Sequence, residues 1–425
     1  MDTQANPEAK GESPAEAKPV QEAGQDSKDS KDSKDTEAPK ETPKEMRAVV
    51  LNGFGGLKSV KIVRRPEPAL ADGEVLIRVQ LCGVSFQDVM VRQGVTEAPP
   101  KTPFILGFEC AGVVAAVADD VKNIKVGDRV VALPDHRAWA ELVPVSAKYV
   151  YKVPEAMPLQ EAAAVTMSYT VAYLLVHDLA NIASNHTVLL YSAGGAVGQA
   201  VCALLKNIEG VTVVGIASKN NMKASKTLSR ILLTGPAMFM QRVVAEGVDV
   251  VLDSQGGEEC NRGYTLLKPL GRYILFGNAH ILFFMDQNVW WQVDKVSPLR
   301  LYEDNRGIIG FNLRRLLHHQ VGRLTWWSER RKVVEAVFKL WQSGVVKAHI
   351  DSTYALEDEN VGKLLLDLSM EPRPRPTTPA KTKKGEKEEE KKEDKENSEN
   401  VAKDSKEDKE EAKTEKEEEV KESKK

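Results

Sequence analysis

The stretch TVLLYSAGGAVGQAVCALLK, from Thr187 to Lys206, constrains this chain more than any other. Val188, Leu189, Leu190 and Tyr191 form an apolar run too short for a core helix and bounded by polar residues and glycine, the pattern of a fully buried parallel strand. Ser192-Ala193-Gly194-Gly195 breaks the run, and Val197, Val201, Leu204 and Leu205 then recur at helical spacing. Gly195 and Gly198 leave no side chain between the first helical turn and whatever approaches it. Free N–H groups and the positive end of the helix dipole meet at this point, which suits a pyrophosphate; a tight structural turn uses glycine in the same way. A second apolar run, Val211 to Ile216, begins shortly after the helix, as a right-handed βαβ unit requires.

The residues after that second strand bear on the cofactor. A dinucleotide fold that takes NAD carries an acidic residue there for the ribose hydroxyls, whereas one that takes NADP offers cationic and hydroxyl groups to the 2′-phosphate. Ala217 to Lys223 reads ASKNNMK, with no carboxylate. Ser218 and Lys219 therefore point to NADP(H), the alternative being that Lys219 and Lys223 are plain surface lysines.

With 425 residues, 46.9 kDa and 42% hydrophobic content, the chain has room for two domains with real cores. The apolar residues are unevenly spread. Residues 1–45 have almost no large aliphatics and repeat KDSKDSKD, and residues 371–425 are nearly all Lys, Glu and Asp, so both tails are expected to be disordered. Both are slightly acidic, which leaves a mildly basic core that does not argue for nucleic acid. Lysines of the C-terminal tail could touch anionic membranes, but its carboxylates nearly cancel them. No apolar signal segment follows Met1 and no uninterrupted apolar span reads as long enough to cross a bilayer, so a cytoplasmic location is expected. Cys82, Cys110, Cys202 and Cys260 are scattered without a CxxC pair, as in a reducing compartment.

From Met46 short apolar segments alternate with turns: Arg47 to Leu51, Val75 to Gln80, Gly112 to Val117 and Arg129 to Leu133 read as strands. The pattern becomes helical from Leu159. After the glycine turn come the strand Gly247 to Asp253, a helix through Leu266, and a strand from Arg272 to Phe276, the alternation of a parallel sheet. Trp290, Trp291, Trp326 and Trp327 then raise the aromatic density; exposed they would mark a membrane or partner surface, buried they are core or dimer packing. A helix from Ser328 to Trp341 and a strand from Leu364 to Leu368 end the fold.

Together SAGGAVGQ, GVDVVLD, LGRYILFG, MRAVVLNGFGGL, VRQGVTEAPPKTPFILGFECAGVV, GDRVVAL, AWAELV and EAAAVTMSYTVAY resemble the quinone-oxidoreductase branch of the medium-chain dehydrogenase/reductases. Within it, WWQVDKVSPLRLYEDNRGIIGFNLRRLL, from Trp290 to Leu317, is similar to the vesicle amine transport protein homologue-like group. The resemblance implies an α/β fold: a GroES-like β-rich catalytic domain over 46–168, completed by 311–370, and a Rossmann doubly wound parallel sheet over 169–310 with the cofactor in the cleft between them. Zinc-dependent relatives place Cys in the segment that here runs Cys82 to Asp88 and His in the motif that here reads Gly107-Phe108-Glu109; those ligand positions hold Ser85 and Phe108. The four-cysteine lobe of a structural zinc is absent, and no metal ligands are assigned. Transferred by motif, Thr170, Ala193, Gly194, Gly195, Ala196, Val197, Gly198, Ser218, Lys219, Phe276, Gly277, Phe311 and Lys363 would line NADP(H). Ser85, Arg92 and Met167 would line the substrate side, with Ser85 the candidate hydrogen-bond donor to a carbonyl; Met90 stands where relatives offer a phenol.

The implied activity is zinc-independent, NADPH-dependent hydride transfer to quinones or α,β-unsaturated carbonyls. Three departures stand against it: a helix missing between TYALED and GKLLLD, a poor match over Asn220 to Gln241, and a short loop after Gly277. They leave a second reading, a non-catalytic adaptor or lipid-handling protein peripheral to vesicles or the mitochondrial outer membrane. By analogy a homodimer is expected, joined through a sheet edge near Ile274 to Phe276.

Overall fold

The computed structural model describes residues 44–96, 99–217, 232–233, 246–277, 279, 298–319, 324–348, 350, 352–355 and 364–368. Both tails, Ser218, Lys219, Trp290, Trp291, Lys363 and the side chains of Trp326 and Trp327 lie outside them, as does most of Asn220 to Gln241.

The first part of the chain is β-structure built on period-two patterning. Strand β1 (Glu45–Leu51) pairs antiparallel with β2 (Val60–Pro66). Strand β3 (Glu74–Val84) runs past the expected Gln80 because Leu81 and Cys82 continue the ladder. Along it Val75, Ile77, Val79 and Leu81 are buried while Arg78 and Gln80 are exposed. Helix α1 (Phe86–Gln93) follows, then β4 (Phe104–Ile105), which closes on the other side of β1. Strands β5 (Cys110–Val117), β6 (Arg129–Ala132), β7 (Leu142–Ser146) and β8 (Val150–Lys152) complete the set, with β5 and β7 both pairing with β3. Gly112 is required where β5 crosses β3, since a Cβ there would lie 2.1 Å from the Arg78 carbonyl oxygen.

Helix α2 (Leu159–Tyr173) leads out of this sheet and continues through a π-helical turn, Leu174–Leu179. Leu159–Leu179 is thus a 21-residue apolar helix, long enough by length and composition to cross a membrane, which corrects the expectation that no such span exists. Its most apolar window is 72% buried inside the fold, the setting of a core helix.

The second sheet is the parallel one. Strand β9 (Thr187–Leu190) is followed by α3 (Ala196–Leu205), β10 (Thr212–Ile216), β11 (Leu232–Leu233), β12 (Val248–Asp253), α4 (Glu258–Thr265), β13 (Leu267–Leu275), α5 (Pro298–Asp304) and β14 (Gly307–Gly310). Six strands lie in the order β11-β10-β9-β12-β13-β14, every neighbouring pair parallel. Val188 and Leu190 enter one core cluster and Leu189 and Tyr191 the other, so β9 is buried on both faces, which is why its sequence is a continuous apolar run. The expected dimer edge near Ile274 is corrected: Ile274 pairs with Leu252 on one side and Ile309 on the other, and the sheet ends at β14.

Helix α6 (Leu313–His318) and helix α7 (Leu324–Gln342) then carry the chain back toward the first sheet. α7 buries Val333, Val334, Val337 and Phe338 at helical spacing. Strand β16 (Leu364–Asp367) pairs antiparallel with β3, and β15 (Ser352–Ala355) adds parallel to β16. The missing-helix expectation falls on residues 356–363, outside the described residues. Long-range bonds fasten the return: Tyr169 Oη donates to the Lys347 carbonyl at 3.0 Å and Trp341 Nε1 to Glu161 Oε2 at 2.6 Å. Tyr149 Oη likewise donates to the Leu317 carbonyl at 2.8 Å.

Candidate nucleotide and acceptor site

At the carboxyl end of β9, Ser192 adopts a left-handed conformation, φ 55°. The turn is fixed by backbone bonds, Ala193 N–H to the Ile216 carbonyl and Gly195 N–H to the Ser192 carbonyl, both at 2.9 Å. Gln199 Nε2 donates to the Gly194 carbonyl at 2.8 Å. Gly195 is the N-cap of α3 and no side chain caps that end, so the first-turn N–H groups of Ala196, Val197 and Gly198 have neither intrahelical nor side-chain acceptors. A Cβ on Gly195 would meet only the Ser192 carbonyl oxygen, at 3.2 Å, so its outer side is open.

The ends of β12 and β13 meet this turn at the point where strand order reverses, where open α/β sheets hold their ligands. Ser254 Oγ donates to Ser192 Oγ at 2.9 Å, and Gln255 Nε2 to the same oxygen at 3.4 Å. Asp253 is fully buried and accepts from the Gln255 N–H at 2.7 Å, the Gly256 N–H at 3.1 Å and the Tyr273 hydroxyl. Phe276 N–H bonds the Asp253 carbonyl and Phe311 N–H the Leu275 carbonyl, each at 2.8 Å. At Gly277 a Cβ would come within 2.5 Å of the Ser254 carbonyl oxygen. The structure thus brings Ala193 to Gly198, Phe276, Gly277 and Phe311 to one edge. Thr170, on the helix packed against α3, is fully buried, and its Oγ1 has no hydrogen-bond partner among the described residues. By contrast Thr166, one turn earlier, satisfies its hydroxyl on the Ala162 carbonyl at 2.7 Å. An open helix terminus, a turn bare of side chains and an orphaned buried hydroxyl fit a phosphorylated nucleotide.

On the acceptor side, Ser85 is the N-cap of α1 and closes a capping box with Asp88. Its N–H and its Oγ both donate to Asp88 Oδ2, at 2.8 and 2.9 Å. The hydroxyl proton expected for a carbonyl is therefore directed at a buried carboxylate, and Ser85 as placed caps a helix. Arg92, at the other end of α1, donates through Nη1 to the Gly55 carbonyl. Of the three residues expected on the substrate side, only Met167 lines the shallow pocket formed by Phe108, Leu133, Pro134, Met167, Leu313, Arg314, Leu317 and His318.

That pocket carries a polar cluster no sequence motif announced. Arg314, 9% exposed, donates through Nε to Asp135 Oδ1 at 2.7 Å, meets His136 Nε2 through Nη2 at 2.7 Å, and lies over the Phe108 ring at 5.3 Å. Because a guanidinium only donates, His136 Nε2 accepts and its proton is assigned to Nδ1, which is buried without a partner among the described residues. His318 Nε2 lies 3.1 Å from the Leu133 carbonyl, and its ring packs on Tyr149. Burial first, then the charge of Arg314, pushes His136 down to about 4; burial also takes His318 to about 4. Burial raises and the charge of Arg314 lowers the Asp135 carboxyl, with a net shift downward.

Cys82 and Cys110 face each other across β3 and β5, and burial pushes both thiols up, Cys110 to about 12, so neither is a nucleophile. Among the described residues no three His, Cys, Asp or Glu side chains are grouped to hold a metal ion.

A GroES-like β-domain completed by the C-terminal strands, with a Rossmann sheet whose glycine turn opens at the switch point, defines a medium-chain dehydrogenase/reductase. Residues 71–155 match the alcohol dehydrogenase GroES-like domain and residues 230–360 the zinc-binding dehydrogenase family. The human synaptic vesicle membrane protein VAT-1 homolog-like is 44% identical over 351 residues, spanning 78% of this chain and 83% of the relative. Its crystal structure matches at a TM-score of 0.67 with 41% identity, covering 77% of this chain and all of that one. A mycobacterial structure complexed with NADPH matches at a TM-score of 0.65 with 25% identity, covering 76% of this chain and 100% of that one. The chain belongs to the VAT-1 homologue family.

Proposed function

We propose that this protein is a zinc-independent oxidoreductase that uses NADPH to reduce quinones or α,β-unsaturated carbonyls. The observation that carries the reading is the glycine turn at the switch point, open above Gly195 and uncapped at α3. The bound nucleotide would supply hydride from its nicotinamide. The chain's own residues do the rest. The N–H groups of Ala196 to Gly198 hold the pyrophosphate, Thr170 Oγ1 finds there the partner it lacks, and Phe276, Gly277 and Phe311 wall the nicotinamide side. Ser218 and Lys219, directly after Ala217 in the sequence, receive the 2′-phosphate, and Lys363, directly before Leu364, is assigned to the cofactor as well. Met167 and Phe108 present apolar surface to the acceptor and keep water from it. Phe108 in place of an imidazole, and Ser85 in place of a thiolate, support a reaction without zinc.

Support for the cofactor comes from the mycobacterial neighbour complexed with NADPH, and support for vesicle association from the relatives' name. We place the protein in the cytoplasm, peripheral to vesicles and dimeric. A fold that binds nucleotide is favoured over an empty scaffold, because Thr170 Oγ1 is buried with no hydrogen-bond partner among the described residues. Incubating the full chain with NADPH and a panel of quinones and enals tests this. Acceptor-dependent loss of NADPH absorbance is expected, and binding without oxidation by any acceptor contradicts it.

A further inference from the structure

We propose that the outer edge of β2 is a docking site for an acidic, extended peptide, which adds to the sheet as a further strand. β2 belongs to a different sheet from the nucleotide turn.

The sheet order here is β2-β1-β4, and among the described residues β2 pairs with β1 alone. Register decides which of its backbone groups are left over. Asn52 N–H donates to the Ser59 carbonyl at 2.9 Å, so that pair is hydrogen-bonded. By the antiparallel alternation Val50 with Lys61, Ala48 with Val63 and Met46 with Arg65 are hydrogen-bonded as well. The far side of β1 agrees: Val49 N–H bonds the Trp139 carbonyl and Glu141 N–H the Arg47 carbonyl, so the odd-numbered residues of β1 turn their backbone away from β2. On β2 the alternate residues Ile62 and Arg64 therefore turn N–H and C=O outward, a row with which another strand can pair. Val60 N–H, bonded to the Leu57 carbonyl, closes this row at one end, and Pro66, which has no N–H, closes it at the other.

Side chains along the edge select the partner's chemistry. Met46 to Pro66 contains no Asp or Glu, and Lys58, Lys61, Arg64 and Arg65 are all exposed. Arg64 reaches Glu45 at 4.0 Å, a weak pair between exposed side chains. A second copy of β2 carries the same cations and is repelled, whereas a strand with carboxylates opposite them is attracted. Beside the cations Leu57 is 73% and Ile62 38% exposed, apolar surface for aliphatic side chains of the partner. The edge is also held in place. Gly55 N–H bonds the Arg92 carbonyl at 2.8 Å, Arg92 Nη1 donates back to the Gly55 carbonyl, and a Cβ on Gly94 would come 2.8 Å from Phe54 Cγ, so the loop between β1 and β2 is clamped on α1. An edge fixed in advance loses little freedom when a strand adds. An anionic lipid surface would satisfy the cations but has no alternating N–H and C=O row to match Ile62 and Arg64, which favours the peptide.

The probe is a fluorescein-labelled peptide of alternating glutamate and valine with the seven-residue length of β2, its anisotropy followed as full-length protein is added. Saturable binding is expected. Lysine in place of glutamate should abolish it, and proline in place of valine, which keeps the charge but cannot form a strand, should weaken it at least about tenfold. Ile62→Pro removes an outward N–H and no bond to β1, so it should weaken the glutamate–valine peptide by a similar factor while NADPH binding stays unchanged. Lys61→Glu combined with Arg65→Glu should lose that peptide and bind its lysine–valine counterpart instead. No binding to the wild type overturns the proposal. Equal affinity for the glutamate–proline peptide overturns it as well, since the edge would then be a charged surface without strand pairing. If Ile62→Pro does not fold, the two acidic peptides on the wild type still decide. Flotation with vesicles of phosphatidylcholine and phosphatidylserine that is lost in Leu57→Ser, with no peptide bound, would assign the edge to lipid and overturn the proposal.

Discussion

A Cβ on Gly198 would lie 2.3 Å from the Ser192 carbonyl oxygen and 2.7 Å from the Ala193 Cα, so α3 can start against the turn only because residue 198 has no side chain. Gly195 differs, for its Cβ would meet the Ser192 oxygen at 3.2 Å and nothing else nearby. Gly198→Ala should cost about 1–3 kcal/mol of stability through overpacking. Gly195→Ala should leave thermal unfolding nearly unchanged yet weaken NADPH binding strongly. Equal effects of the two substitutions on binding and stability would show that the turn serves only the fold.

Thr170 gives a prediction of unusual sign. Its Oγ1 is buried without a partner among the described residues, so Thr170→Val replaces a costly hydroxyl by a methyl of similar size. The nucleotide-free protein should gain about 1 kcal/mol in chemical denaturation while its affinity for NADPH falls. A loss of stability would mean that the hydroxyl already has a partner and is not reserved for the nucleotide.

Ser85 separates capping from catalysis. Removing an N-cap hydroxyl costs about 1 kcal/mol, so Ser85→Ala should lower the unfolding midpoint and leave turnover within a few-fold of wild type. Abolished turnover at unchanged stability would make Ser85 a catalytic donor rather than a helix cap.

The histidines set a pH dependence. In the fold His136 and His318 are pushed from 6.5 to about 4, so they stay neutral where the unfolded chain already binds protons. His136 faces Arg314, Asp135, His318 and His319. Stability is therefore expected to fall as pH drops from about 6.5 to about 4 and to level off below, where the native protein protonates as well. Asp135, shifted downward, retains its contribution through that window and loses it only at lower pH. At about 1.4 kcal/mol per pKa unit, reduced because both rings are partly exposed, the loss is on the order of 3 kcal/mol. Denaturation curves of wild type and His136→Phe across the window test this, and a flat wild-type profile would contradict it.

Legibility from sequence followed burial. The run at β9 was readable because Leu189 and Tyr191 face one core and Val188 and Leu190 the other, leaving no polar position to confuse the period. β13 was read five residues short, starting at Arg272, because Lys268-Pro269-Leu270-Gly271 has turn composition and Leu270 takes φ 67°; the pairing with β12 nonetheless starts at Leu267. The short β14, flanked by glycines, was invisible, and with it the true edge of the sheet. In the site, the glycine turn is local and was found. The capping box of Ser85 and Asp88 is equally local, yet a Ser three residues before an Asp is compatible with either a free donor or a cap, and only the bond of Ser85 Oγ to Asp88 distinguishes them. The Arg314 cluster joins residues 178 and 179 positions apart, and only the return of the chain through α6 brings them together.

The central claim is that the open turn binds a nicotinamide nucleotide with the 2′-phosphate. Titrating NADPH, and separately NADH, into the full-length protein, with heat as the primary signal and tryptophan fluorescence as a second, tests it most directly. NADPH is expected to bind at least about tenfold more tightly than NADH, a difference of about 1.4 kcal/mol. Heat from neither nucleotide, or equal affinities for both, would contradict it.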